Sequence, residues 1–285
     1  MTPRPRRVVA TVIALALLTI GALTWDVRRA VIRPAYNRDG LLVVLVIGSD
    51  TGPPYRPGDP LHGRADALHI VAVDPDERSA TVVDIPRDSL IGGTKVNGHM
   101  AAGGPEALVS QLESFTGLTI DHWILTTFRG FEKLSADLGG LNVVVEQPMH
   151  DSSSHSDFEP GPVHVERESA LAYARDRHSL PDGDFGRTRH QGDLLIAAHR
   201  RLLEDHRSLP KLVSLVGAVA RNTASDIAPT DLLSLALLAA DIDPAAVEHI
   251  ALTGRTGTVA GASVVYVEPG DAFSRIRDGH VGGGP

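Results

Sequence analysis

The sequence predicts an α/β fold: a single domain with a central mixed β-sheet flanked by helices, preceded by one N-terminal transmembrane helix. Three observations carry this expectation. Short apolar, β-branched runs alternate with stretches of helical spacing, the pattern of strands packed between helices. The first run, "LLVVLVIG" (41–48), is continuously apolar and ends in Gly, as a strand buried on both faces does. And Val8 to Trp25 form eighteen consecutive uncharged residues close to the N-terminus.

That uncharged run is ~27 Å long as a helix, close to a bilayer core of ~30 Å. Arg4, Arg6 and Arg7 precede it, and Trp25 stands at its edge. No small-x-small cleavage site follows it, so an uncleaved anchor is preferred to a signal peptide. Residues 1–7 are then a cytoplasmic tail, 8–25 the anchor, 26–40 a tether, and 41–280 a domain outside the cytoplasmic membrane. The N-terminal arginines set that orientation and predict a single-pass protein of the cell membrane.

Along the domain, "DALHIVAV" (66–73) and "ATVVDI" (80–85) read as strands joined by the turn "DPDERS". "PEALVSQLESFTG" (105–117) has helical spacing and a terminal Gly cap. "TIDHWILTTF" (119–128) is a strand, "GFEKLSADLGG" (130–140) a helix and "LNVVVEQ" (141–147) a strand. Residues 148–165 read as a polar loop, and 166–175 as a helix. A loop at 176–184 leads into a long helix over 186–206. Helices near 209–221 and 229–240 follow, then strands near 247–252 and 263–267. The last six residues are expected to fray.

Charge excludes one broad class of function. Residues 1–40 carry seven arginines and two aspartates, a net of +5, whereas the remaining residues carry a net of -13. A nucleic-acid binder shows a broad basic face, and this domain does the opposite. The chain has no cysteine, which removes disulfides, thiolate metal sites and a cysteine nucleophile. Phosphate-loop, His-Glu-x-x-His and Gly-x-Ser-x-Gly motifs are missing. Its 13 histidines are scattered, and His150, His155 and His164 read as solvated loop residues.

Against that acidic background, "YARDRHSLPDGDFGRTRHQGD" (173–193) concentrates Arg175, Arg177, Arg187 and Arg189 within fifteen positions. Arg175 and Arg177 end a helix, where the dipole favours cations. Arg187 and Arg189 start one, where it does not. A helix start is an anion site, so arginines there make sense when an anion lies between them. Gln191 shares a helical face with Arg187. Guanidinium forks bind phosphate oxygens in pairs, and a bound diphosphate fits this concentration.

Three further clusters supply its partners. Asp50, in "IGSD" (47–50), ends the first strand, where α/β sheets bind ligands; a turn-capping role is the plainer reading of this residue alone. Arg64 and Asp66, in "GRADAL" (63–68), are two apart and share a side in extended chain, with an ion pair as the plain alternative. Arg87 and Asp88, in "DIPRDSLI" (84–91), follow a buried strand ended by Pro86, and again a surface ion pair is the plain alternative. "KVNGHMAAGG" (95–104) holds Lys95, one of only three lysines, and Asn97.

In this order "IGSD", "RADAL", "DIPRDS", "KVNGHMAAGG", "DLGGLNV", "ALAYARDR" and "GDFGRTRHQ" resemble the LytR-CpsA-Psr family, from Leu41 to Leu203. The resemblance implies a membrane-anchored phosphotransferase of cell-wall assembly. Such an enzyme moves a glycopolymer with one phosphate from a polyprenyl-diphosphate carrier to peptidoglycan, as in teichoic acid or arabinogalactan attachment. A hydrophobic groove would hold the lipid. Carried over by position, Asp50 and Asp66 would bind Mg²⁺, with Mn²⁺ as a substitute. Arg64, Arg87, Arg175, Arg177, Arg187 and Asp66 would be catalytic. Lys95, Asn97, Arg189 and Gln191 would join the arginines in binding substrate. The long Pro/Gly-rich loop between Asp50 and Arg64, and His190 beside Gln191, depart from the family's pattern. Competing expectations are a hydrolase with the same residues, a non-catalytic polyprenyl-phosphate scaffold, and a transcriptional attenuator.

Overall fold

The computed structural model describes residues 40–205 and 208–283. The expected tail and anchor, and all of the tether except Gly40, lie outside the described residues. Among the described residues no helix is long and apolar enough to cross a membrane.

The expected first strand is β1 (Leu42–Ser49). It pairs antiparallel with β2 (Ala65–Asp74), which turns through residues 75–78 into β3 (Ser79–Asp84). Two short strands, β4 (Leu90–Ile91) and β5 (Thr94–Lys95), lead into helix α1 (Val96–Thr116). β6 (His122–Thr127) runs parallel to β1 on its other side. Next come α2 (Phe128–Asp137), β7 (Leu141–Val145), β8 (Met149–Asp151), β9 (Ser156–Phe158) and β10 (Gly161–Val165). Helices α3 (Arg167–Arg175), α4 (Asp184–Asp205) and α5 (Leu209–Asn222) follow. β11 (Thr223–Ser225), α6 (Pro229–Ala240), β12 (Val247–Ala251), β13 (Thr253–Val259), β14 (Ala262–Glu268) and α7 (Ala272–Arg277) complete the chain.

The central sheet has the order β11-β6-β1-β2-β3-β12 and is mixed, because β6 pairs parallel with β1 and β12 parallel with β3, while the other pairs are antiparallel. Alternation along β1 divides its side chains between two faces. Val43, Leu45 and Ile47 pack with Met100, Leu108 and Leu112 of α1 and Phe273 and Ile276 of α7. Leu42 and Val44 face Leu238 of α6 instead, and Val46 turns to a cavity under α2, α3, α4 and α5. The sheet is therefore sandwiched between helices, as the alternating sequence pattern requires.

Four expectations need correction. Residues 148–165 are not a loop: β8 pairs with β9, and β10 with β7, in two small antiparallel ribbons. Strand character is hidden there because β10 exposes Pro162 and His164 alternately with its inward residues. Helix α1 starts nine residues earlier than expected and is broken at Gly103 and Gly104; Gly104 has φ +76, which only a residue without Cβ adopts readily, just before Pro105. Strands β11 and β13 and helix α7 were not anticipated. β14 pairs with β13 in a separate ribbon and not in the main sheet.

The expected C-terminal fraying is also corrected for residues 280–282. Gly282 N donates to Thr81 Oγ1 (2.8 Å) and Ser79 Oγ donates to Val281 O (2.8 Å), which ties the end to β3.

Gly130, in the first turn of α2, lies against the end of α5. A Cβ there would sit 2.6 Å from the backbone oxygen of Asn222 and 2.7 Å from Thr126 Oγ1. Backbone cannot move aside as a side-chain tip does. Gly130→Ala is therefore expected to lower stability by about 1–3 kcal/mol, the usual range for overpacking, measured by urea unfolding.

Candidate active site

β1 and β2 end and begin side by side, with a bulge between Gly48 and Ser49. This places Asp50 and Asp66 on neighbouring strand ends. Asp50 Oδ1 accepts from Arg64 N (3.0 Å) and from Thr51 Oγ1 (2.9 Å), and Asp50 N donates to Arg64 O (3.1 Å). Its other oxygen pairs with Arg56. Asp50 thus has the turn-bracing role that sequence favoured for it alone. The Arg64 side chain is exposed, and the anticipated Arg64–Asp66 ion pair does not form. Asp66 accepts instead from Arg87 Nη1 at 2.6 Å.

Arg87 stands on a loop laced from several directions. Ser89 Oγ donates to Pro86 O (2.6 Å), Asn97 N to Arg87 O (3.2 Å) and Val265 N to Asp88 O (2.9 Å). Lys95 Nζ lies 3.1 Å from Asp88 Oδ2, and Asn97 Nδ2 donates to Asp88 Oδ1 at 3.4 Å. Lys95 and Asn97 therefore serve the carboxylate of Asp88, and through it the position of Arg87.

From the other side, α4 begins at Asp184 and presents Arg187, which is only 6 % exposed. Arg187 Nη2 lies 2.5 Å from Asp184 Oδ1, yet the groups are misaligned for hydrogen bonding: among the described residues, Arg187 Nε and Nη2 and both Asp184 oxygens have no hydrogen-bond partner, nor does Arg87 Nε. Burial, the largest influence, pulls the Arg187 pKa below its usual value; Asp184 opposes this, while Arg87 and Arg177 push it further down. Burial also works against the charge of Arg87, but Asp66, Asp184 and Asp88 outweigh it and hold its pKa above the usual value. The structure thus brings Asp66, Arg87, Asp184, Arg187 and Arg177 into one electrostatic cluster. Buried N–H groups without partners are what an anion with several oxygens satisfies.

Arg175 Cζ sits 5.0 Å over the Phe128 ring, whose face attracts the cation. Tyr55, from the Pro/Gly-rich loop, packs edge-on against Phe128 at 5.7 Å, so the long loop is part of the site's wall. Gln191 Nε2 donates to Ala174 O (3.0 Å) and joins α4 to α3. Arg189 is not brought to this cluster: two residues round the helix from Arg187, it pairs with Asp182 at 2.8 Å.

Below the polar cluster opens an apolar cavity of about 250 Å³. Asp66, Arg175 and Gln191 line it with Val46, Ile124, Phe128, Phe131, Leu134 and Leu194. The family resemblance implies a hydrophobic groove between sheet and helices, and the cavity lies between those layers.

Sequence reasoning missed one set of ionisable residues. His69 of β2 stands directly across from Asp84 of β3, and its Nδ1 lies 2.7 Å from Asp84 Oδ1. Asp84 Oδ2 is 2.5 Å from His249 Nε2, and His249 Nδ1 is 3.5 Å from Asp193 Oδ1. Gly192 makes room for this: a Cβ there would lie 2.2 Å from His249 Nε2 and 2.3 Å from Asp84 Oδ2. The available signal was a carboxylate closing an apolar strand, "ATVVD". Burial works against the charged form of His249, but the hydrogen bond it donates to Asp84 and the charges of Asp84 and Asp193 outweigh it and raise its pKa above 6.5.

A model of the LytR_cpsA_psr family matches residues 25–278 of this chain. The chain belongs to this family. A teichoic acid transferase of Bacillus subtilis (strain 168), named polyisoprenyl-teichoic acid–peptidoglycan teichoic acid transferase TagV, is 28% identical over 220 residues, covering 73% of this chain and 56% of that protein. Enterococcus faecalis (strain ATCC 700802 / V583) TagU, which carries the same transferase name, is 26% identical over 245 residues, 79% of each chain. The crystal structure of B. subtilis TagV superposes with TM-score 0.71 at 25% identity, covering 86% of this chain and 97% of that one. The chain spans little more than half the length of the first of these relatives.

The family resemblance implies a divalent metal. Among the described residues no group of three or more His, Cys, Asp or Glu is arranged to hold one. Asp50 and Asp66 are hard oxygen donors on adjacent strand ends, and each already meets an arginine. That donor set suits Mg²⁺, which takes one or two carboxylates and completes its shell from phosphate and water.

The raised His249 pKa makes a linkage. Stability from its charged pairing is fully present below pH 6.5, its unfolded value, and is lost as pH rises through the higher folded value. His249 is expected to titrate above 6.5 by NMR, and Asp84→Asn to bring its midpoint down.

Proposed function

We propose that this protein is a membrane-anchored phosphotransferase that moves a glycopolymer with one phosphate from a polyprenyl-diphosphate carrier to peptidoglycan. The observation that carries the reading is the juxtaposition of a buried arginine, Arg187, and a half-buried one, Arg87, whose inward N–H donors lack partners among the described residues, with an apolar cavity beside them. A lipid diphosphate has this same division: two adjacent phosphates and a hydrocarbon tail. The relatives' names, which pair a polyisoprenyl-linked teichoic acid with peptidoglycan, support the donor and acceptor classes. The uncharged run at 8–25 would fix the enzyme to the membrane that holds the lipid, with the α/β domain on the outer side.

In the reaction, an acceptor hydroxyl of the wall attacks the glycan-side phosphorus, and lipid monophosphate leaves. Arg87 and Arg187 hold the phosphate oxygens through the donors left free inside the protein. Arg175, Arg177 and Arg64, nearer the surface, add positive charge where the leaving oxygen develops negative charge. Asp66 keeps Arg87 aimed, and it or Asp50 takes the hydroxyl proton. Mg²⁺, held by Asp50 and Asp66, would supply further charge to the phosphate oxygens.

The test uses the full chain in detergent, a polyprenyl-diphosphate oligosaccharide donor and a peptidoglycan oligomer. Mass spectrometry is expected to find a phospho-glycan adduct of the oligomer, dependent on Mg²⁺. Arg87→Ala or Arg175→Ala is expected to slow its formation by about 10²–10³-fold, as for other electrostatic stabilisers. Donor cleavage without an adduct would make the protein a hydrolase, and binding of an uncleaved donor would make it a scaffold. Transfer by Arg87→Ala near the wild-type rate would refute the site assignment.

A further inference from the structure

The cavity wall carries one ionisable side chain outside the family set. His69 is 2 % exposed and lines the cavity with Asp66, Arg175 and Gln191. Its Nδ1 is taken by Asp84, and its Nε2 has no hydrogen-bond partner among the described residues. Val46, directly opposite His69 on β1, lines the same cavity, so the histidine stands on the cavity face of the sheet. It is three residues along β2 from Asp66. Its partner Asp84 lies against α4 at Gly192, the residue after Gln191.

A buried carboxylate on Nδ1 fixes the ring and leaves Nε2 to meet a reacting group. Here the arrangement is longer. His69, Asp84, His249 and Asp193 alternate imidazole and carboxylate, so both rings can hold a second proton with no net charge on the set. Other charged groups bear on it. Asp66 lies on the same strand, Arg175 comes from α3, Arg189 from α4, and Glu146 faces Asp193.

We propose that His69 is a further catalytic residue, whose Nε2–H meets the carrier-side phosphate and protonates it as it leaves, with Asp84 as its positioning residue. The inference rests on the lipid-diphosphate reading above. In the step, the acceptor oxygen bonds to the glycan-side phosphorus and releases its proton. The bond from that phosphorus to the bridging oxygen breaks, and its electron pair stays on that oxygen. The lipid monophosphate so formed takes the proton from His69 Nε2. The neutral ring keeps Nδ1–H on Asp84 and regains its Nε2 proton from water before the next turnover. A monophosphate ester has its second pKa near ~6, so the leaving group can take up a proton near neutral pH.

The test is NMR on the full chain in detergent with ¹⁵N-labelled histidine and methyl-labelled Ile and Leu, titrated with geranylgeranyl diphosphate. The Ile124 and Leu194 methyls report whether the cavity is filled. The expected result is that these methyls shift together with His69 Nε2. Methyl shifts with an unmoved His69 would overturn the inference and leave the lipid-diphosphate reading intact; if neither moves, both fall. In the transfer assay His69→Gln is expected to lower kcat by about 10²–10⁴-fold, with KM changed only a few-fold. Asp84→Asn is expected to lower kcat less, again with KM changed only a few-fold. A His69→Gln rate within threefold of wild type across the pH range would also overturn the inference, and should that variant not fold, the wild-type NMR decides.

Discussion

The site depends on keeping two guanidinium groups close together inside the protein. Arg87 and Arg187 feel each other's charge, and burial disfavours both. Neither can shed its proton, so the protein must hold the charges by other means. Asp66 and Asp184 do this, one from β2 and one from the first turn of α4. Among the described residues they leave donors unmatched, N–H groups of the kind that an anion satisfies. Much of the nearby structure follows from it. The loop carrying Arg87 is tied to β14 and to α1, and Lys95 and Asn97 are spent on Asp88.

The cavity lies beneath this cluster because the sheet has two unlike halves on one face. Near the start of β1, α6 closes on Leu42, Val44 and Val73. Near its end the helices stand off the sheet, and their apolar sides line a space instead of filling it. The two environments adjoin, so one bound molecule can have its charge held by arginines and its hydrocarbon removed from water. His69 belongs to both, since it is a polar ring in the cavity wall held by a wholly buried carboxylate.

What could be read early was what depends on local pattern. Continuous apolar runs marked β1 and its neighbours, and glycines marked the ends of α1 and α2. The arginine doublets stood out against an acidic chain, and four of the six carried-over arginines lie at the cluster or over the cavity mouth. Arg189 shows the limit of that reasoning. As a member of a doublet it looked equivalent to Arg187, but two residues along a helix are about 200° apart, so its side chain goes to Asp182. The ribbons between 148 and 165 were hidden because two-stranded pairings carry only weak patterning.

Sequence alone determined the class of the fold, the order of the main strands, the concentration of guanidinium groups and the family that these motifs resemble. Each follows from the type and spacing of residues near one another in the chain. Tertiary structure alone decided which carboxylate meets which arginine. Asp66 is two residues from Arg64 yet pairs with Arg87, because β2 and β3 run antiparallel and bring distant residues to one edge. It likewise decided that His69, Asp84 and His249 form one hydrogen-bonded set, since they come from three adjacent strands. Such pairings are set by strand register, which no single stretch of sequence contains.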